Sequence, residues 1–189
     1  MEVKATQIDA VKHIQPRRIR DTRGFFSEVW NERALTDAGI HAAFIQENHS
    51  YSERAGTVRG LHFQAPPMAQ AKLIRVGRGE ILDVAVDIRR GSPTYGQHCR
   101  AVLSAANGHQ LFIPPGFLHG FVTLCDDVDV YYLVTAHWSA PSEGAVRWND
   151  PDLGIDWGID PADAKLSDKD ALAPFFANFD TPFAVEGAP

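Results

Sequence analysis

ILDVAVDIRRGSPTYGQHCRAVLSAANGHQLFIP, residues 81–114, alternates strand-like runs with turns. In ILDVAVDI, Leu82, Val84, Val86 and Ile88 fall on one face, and Ile81, Asp83, Ala85 and Asp87 on the other. That is the two-residue period of a strand. GSPTYG (91–96) has the Gly, Ser and Pro of a turn, CRAVLSA resumes as strand, ANG turns again and QLFIP is the next strand. Working outward, AFIQENHS, KLIRV, HGFVTL and VDVYYLVTAHW read the same way. Seven or more short strands at this spacing predict a sandwich or barrel.

Helix is scarce. Asn31 to Ala38 has a helical pattern closed by Gly39, and a second short helix is expected over Lys169 to Phe176 with Ser167 as N-cap, limited by Pro174. The tail after Asp180 reads as loose. No repeat, low-complexity tract or linker divides the 189 residues. One domain is expected over 1–189: an N-terminal arm about 1–40, a core about 41–148 and a C-terminal extension about 149–189.

Composition narrows the function classes. Apolar residues make up 44% and charged residues 22%, which excludes disorder, collagen and coiled coil. Eighteen basic against twenty-four acidic residues give −6, contrary to the basic surplus of a nucleic-acid binder. Local arginines can still hold a phosphate. Cys99 and Cys125 stand in no metal or redox spacing, so a reduced, cytoplasmic compartment is expected. The opening MEVKATQIDAVKHIQPRRIR has no signal-peptide apolar run, and no stretch nears the 18 or so apolar residues of a membrane span.

Two histidine patterns stand out. Gly108, five residues on to Pro114–Pro115–Gly116, then Phe117, Leu118 and His119, resembles the second cupin motif. Gly56, five residues, then His62 resembles the start of the first. In metal cupins the first His is followed by x-His and then a Glu; here position 64 is Gln, and no Glu occurs between His62 and Glu80. Two His with a Gln and a Lys make a poor divalent site, because an ammonium repels the ion.

Without metal, a barrel interior must work with side-chain acids and bases. Lys72 shares a strand face with Ile74 and Val76, and Asp83 with Asp87 on the next strand, so a buried Lys–Asp pair is open. Each residue also has an ordinary reading. Lys72 could snorkel from a strand end, Asp83 and Asp87 could form a solvated face, and Tyr132, beside Val130 and Val134, could be a core tyrosine. His62 and His119 could be structural hydrogen-bonders.

Together the motifs carry more. RDTRGFFSE (20–28), QENHS (46–50), VRGLHFQ (58–64), AKLIRV (71–76), LDVAVDIRRGSPTYGQ (82–97), PPGFLHGFVTL (114–124) and SEG-x3-WNDPDLGIDW (142–157) resemble the dTDP-4-dehydrorhamnose 3,5-epimerase family. The resemblance runs over about residues 18–175, in the family's order. It implies an all-β cupin jelly-roll barrel with short peripheral helices at the N- and C-terminal sides, homodimeric, with no metal and no cofactor. The implied substrate is dTDP-4-dehydro-6-deoxy-D-glucose, on the route to dTDP-L-rhamnose.

The chemistry accounts for the residue types. A ketone at C4 acidifies the protons on C3 and C5, so epimerisation needs a base on one face, stabilisation of the enolate oxygen, and an acid on the other. By resemblance, His62 is the base and Asp170 of LSDKD orients it. Lys72 stabilises the enolate at O4, and Tyr132 is the acid. Arg59 and Arg23 would contact the diphosphate, where guanidinium suits phosphate oxygens. Glu28, Gln46, Asn48 and His119 would line the nucleotide and sugar. An arm bearing Arg23 and Phe26 would reach into the partner's site.

Three positions depart from the family pattern: Leu133, His137 and Trp138, the last standing where a tyrosine packs near the sugar ring. Because ring positioning decides which carbons exchange, a single-centre epimerase is the nearest alternative. A metal-dependent cupin and a non-catalytic sugar-nucleotide-binding module are the alternatives of other classes.

Overall fold

The structure, a computed structural model, describes residues 1–185. Along the chain run β1 (Glu2–Ala5), β2 (Lys12–Gln15), β3 (Arg18–Asp21), β4 (Gly24–Ser27), α1 (Glu32–Asp37), β5 (Gln46–Ser52) and β6 (Val58–Gln64). There follow β7 (Lys72–Arg78), β8 (Glu80–Asp87), β9 (His98–Ser104), β10 (Gln110–Ile113), β11 (Phe117–Thr123), β12 (Val128–Val134), β13 (Glu143–Ala145) and α2 (Asp168–Ala171). Two antiparallel sheets form the body, ordered β1-β2-β10-β7-β12-β5 and β13-β6-β11-β8-β9, while β3 and β4 make a separate hairpin. This is the expected all-β jelly roll with a helical fringe.

Burial explains the alternation in ILDVAVDI. Ile81 and Ala85 point between the sheets, packing with Ile74, Val76, Phe121 and Val130. Val84, Val86 and Ile88 point the other way, yet they are equally dry. Trp148, Leu153 and Trp157 of the C-terminal extension cover them. A strand buried on both faces leaves no solvated side, so Asp83 and Asp87 are fully buried. Asp87 is satisfied by Arg89, Ser92 and Thr94. On the third packing face, Leu35 of α1 and Ile40 seal Leu73 and Phe112 on the outside of the six-stranded sheet.

Several expectations need correction. Residues 2–15, expected within an arm, are paired into the six-stranded sheet through β1 and β2, and only the β3–β4 hairpin stands apart. α1 closes as read, with Gly39 at positive φ just past its end, but it spans Glu32–Asp37, and Asn31, read as its first residue, is the N-cap that accepts from the Ala34 N–H. The second helix is capped by Ser167 but spans only Asp168–Ala171; beyond it Pro174 has no N–H to continue the ladder, and Arg147 takes up the carbonyls of Ala171 and Ala173. Residues 181–185, read as loose, are docked: Arg90 N–H donates to the Phe183 carbonyl at 2.9 Å, and Val185 N–H to that of Arg90 at 3.0 Å. The rest of that tail lies outside the described residues.

The strand that matters most for chemistry, β6, escaped the pattern reading because Gly60 interrupts its apolar run. Gly60 has φ +134, and a Cβ there would lie 2.5 Å from the Gly120 Cα. Two glycines therefore let β6 and β11 cross in close contact at a register shift, with His62 opposite His119.

Candidate active site

A cavity of about 570 Å³ opens between the two sheets at one end of the barrel. Its size is that of a small-molecule site. His62 and Arg59 enter from β6 and His119 from β11, all on the five-stranded sheet. Lys72 enters from β7, Tyr132 from β12 and Asn48 from β5, all on the six-stranded sheet. Residues 165–170 of the C-terminal extension close one side.

On the first wall, His62 Nε2 lies 2.5 Å from Asp170 Oδ1, across 108 residues of sequence. A carboxylate oxygen can only accept, so Nε2 carries a proton, and in the neutral ring Nδ1 is the nitrogen with the lone pair. Burial works against the Asp170 charge. Hydrogen bonds from His62, Ser167 and the Gly60 backbone prevail and hold its carboxyl below the ordinary carboxylate value. Asp170 is therefore an anion able to orient the ring and to stabilise it once protonated.

A second His–carboxylate contact lies deeper. His119 Nε2 is 2.7 Å from Asp83 Oδ1, both nearly dry. Burial pushes the imidazole below its usual value although Asp83 pulls it up, so it stays neutral and donates through Nε2. Asp83 Oδ2 has no hydrogen-bond partner. Lys72 is close enough to feel Asp83 and Glu143. Burial pushes its ammonium down to about 8, with those carboxylates pulling the other way. The Lys–Asp pair left open by the strand pattern is thus a charge interaction across the cavity floor, with Asp83 hydrogen-bonded to His119 instead.

The rim is polar. Trp138, 61% exposed, donates from Nε1 to Glu143 Oε1 at 3.0 Å, and Lys169 Nζ lies 2.6 Å from Glu143 Oε2. Arg59 spends two N–H groups on the Tyr51 carbonyl and Ser52 Oγ, at 2.9 and 3.3 Å, leaving the rest of its fork free.

Of the residues expected at the site, His62, Lys72, Tyr132, Asp170, Asn48, Arg59, His119 and Trp138 line this one cavity. Gln46 stands just behind, donating to Asn48 Oδ1 and accepting from the Trp138 N–H. Arg23, Phe26 and Glu28 do not reach it. Arg23 is 88% exposed on the hairpin and bound to Asp21, and Phe26 is 70% exposed. Leu133 faces the outside of the sheet beside Trp30 and Leu73. Glu143, Lys169 and Gln64 also line the cavity, and the sequence patterns do not mark them as site residues. The first two had no signal beyond lying inside the SEG and LSDKD motifs. No group of three or more His, Cys, Asp or Glu converges among the described residues, and both cavity histidines commit Nε2 to carboxylates.

A family model described as dTDP-4-dehydrorhamnose 3,5-epimerase matches residues 5–178. A dTDP-4-dehydrorhamnose 3,5-epimerase of Sinorhizobium fredii is 47% identical over 174 residues, covering 92% of this chain and 89% of that protein. One from Pseudomonas aeruginosa is 47% identical over 181 residues, covering 94% and 98%. Among solved structures, a dTDP-6-deoxy-D-glucose-3,5-epimerase from Legionella pneumophila in complex with dTDP-4-keto-L-rhamnose matches with a TM-score of 0.90 and 42% identity, covering 95% of this chain and 94% of that one.

Proposed function

The chain belongs to the dTDP-4-dehydrorhamnose 3,5-epimerase family, and from that premise we propose how its cavity inverts C3 and C5 of dTDP-4-dehydro-6-deoxy-D-glucose. The observation that carries the reading is the two-walled arrangement: His62 of the five-stranded sheet, paired with Asp170 of α2, faces Lys72 and Tyr132 of the six-stranded sheet. His62 Nδ1 takes the proton from the carbon next to the ketone, and the electron pair moves into the C–C bond as O4 becomes an enolate oxygen. The Lys72 ammonium stabilises that oxygen. The Tyr132 hydroxyl then delivers a proton to the opposite face of the same carbon. One proton is gained by the imidazole and one lost by the phenol, so exchange with solvent resets both. No net oxidation occurs. Arg59 and Lys169 suit the diphosphate, and Trp138 supplies an aromatic wall at the mouth.

The test is proton NMR of this substrate with the protein in D₂O. Loss of both the C3 and C5 signals is expected; loss of one alone would identify a single-centre epimerase, and loss of neither by folded protein would overturn the reading. In the same assay Tyr132→Phe should still wash out protons at the face served by His62 while net inversion drops about 10²-fold. Inversion at the wild-type rate would remove Tyr132 as the acid.

The same reading makes the protein a homodimer in which the β3–β4 hairpin lends Arg23, Phe26 and Glu28 to the partner's cavity. Their distance from their own cavity supports this, as do the exposed Ile19, Phe25, Phe26, Val29 and Trp30 gathered on and after the hairpin. Sedimentation equilibrium should give twice the 20.8 kDa of one chain, and Arg23→Ala should raise KM. A fully active monomer would refute the arrangement. No helix among the described residues is long and apolar enough to cross a membrane. The free thiols of Cys99 and Cys125 support a cytoplasmic location, which recovery of the protein from another cell fraction would contradict.

A further inference from the structure

Gln64 is the last residue of β6, two positions beyond His62 and on the same strand face, and it is buried. Its amide is fully used. Nε2 donates to the carbonyls of Met68 at 2.7 Å and His137 at 3.1 Å, and Oε1 accepts from the Ser139 N–H at 2.8 Å. The last two partners are the backbone groups on either side of Trp138. Trp138 itself has its N–H tied to Gln46 Oε1 at 3.2 Å and its indole N–H to Glu143, which is the register partner of Gln64 on β13. Apart from Asn, only Gln offers two donors and a carbonyl acceptor in one uncharged group, and Asn is a methylene shorter.

We infer that Gln64 is a positioning residue: a strut from the base-bearing strand that holds Trp138 across the mouth of the cavity and so sets how tightly the nucleotide sugar is seated. The inference rests on the function proposed above and adds a residue to it. The position that would carry a second histidine in a metal cupin here carries a brace for the rim. Trp138 needs one because it is largely exposed; without fixed backbone its ring would sample many orientations, and ordering it would fall to the ligand.

The test uses full-length protein labelled with 5-fluorotryptophan, whose four tryptophans (Trp30, Trp138, Trp148 and Trp157) are resolved by ¹⁹F NMR. The Trp138 signal is assigned by its loss in Trp138→Phe. In Gln64→Met, close in shape but apolar, the Trp138 resonance should shift and broaden while those of buried Trp148 and Trp157 stay in place. KM and the Kd for dTDP should rise about tenfold while kcat changes less than about threefold. In Gln64→Glu the carboxylate repels the two carbonyls. Its KM relative to wild type should therefore recover as pH falls and the side chain regains a proton to donate; this variant also decides the matter if Gln64→Met fails to fold. An unmoved Trp138 resonance, or a moved one with unchanged dTDP affinity, overturns the strut. Because the ¹⁹F and dTDP readouts need no turnover, failure of the epimerase reading would appear separately, as wild-type protein that binds dTDP without exchanging protons.

Discussion

His62→Ala is expected to abolish proton exchange at both C3 and C5, by about 10³-fold or more, since a positioned general base contributes about 10²–10⁴-fold. The affinity for dTDP should stay near wild type, because the imidazole faces the reacting carbons and the nucleotide is held at the rim. The loss at both carbons is the informative part. One base on one wall must serve two centres, so the ring has to present first one carbon and then the other to His62 Nδ1. Exchange surviving at either carbon would show a second base and remove that economy. Asp170→Asn should be less severe than His62→Ala, because the imidazole remains but loses the anion that fixes its tautomer and balances its charge. NMR in D₂O, read carbon by carbon with a parallel dTDP titration, checks the whole series.

Lys72→Met should cost about 10²–10³-fold in exchange rate, the scale seen when one donor to a developing oxyanion is lost. KM should change far less, because the charge on O4 exists only after the proton has left. Wild-type protein should show the matching pH dependence. Burial has pushed the Lys72 ammonium down to about 8. The charged form predominates below that pH, so on the alkaline side activity should fall as pH rises through about 8. The groups facing this ammonium are Asp83 and Glu143, which raise its value, with His119 and His62 on the opposite wall. Asp83→Asn removes a carboxylate that favours the charged lysine, so the alkaline limb should move to lower pH. A rate flat across pH 7–10 by direct assay, or Lys72→Met within tenfold of wild type, would exclude an electrostatic role for this lysine.

Much of the architecture is legible in short-range patterns. Alternation in ILDVAVDI and KLIRV, turn residues in GSPTYG and the capping residues Gly39 and Ser167 each report local geometry, and each agrees with the structure. The misreadings have local causes too. Gly60 hides β6 by breaking its apolar run, and the polar KHIQ hides β2, although its Ile14 is fully buried. The helical pattern continues to Phe176, but the second helix stops at Ala171, short of Pro174, which has no N–H to extend the ladder.

Strand period in the sequence by itself put Lys72, Asp83 and Tyr132 on definite faces of their strands, and motif resemblance added His62 and His119. What stands opposite each of them only the tertiary structure decided. Strand period says that Asp83 leaves the sheet on one side; it is the packing of Trp148 and Trp157 on the other side and the closure of the barrel that make it a dry partner for His119, 36 residues away. Likewise the base acquires its carboxylate from a four-residue helix in the C-terminal extension, and Trp138 its bracing from Gln64 and Gln46. Local sequence governs backbone torsion and face, which are set within a few residues. Hydrogen-bond pairing, desolvation and charge coupling depend on distances that arise only once strands far apart in the chain are laid side by side.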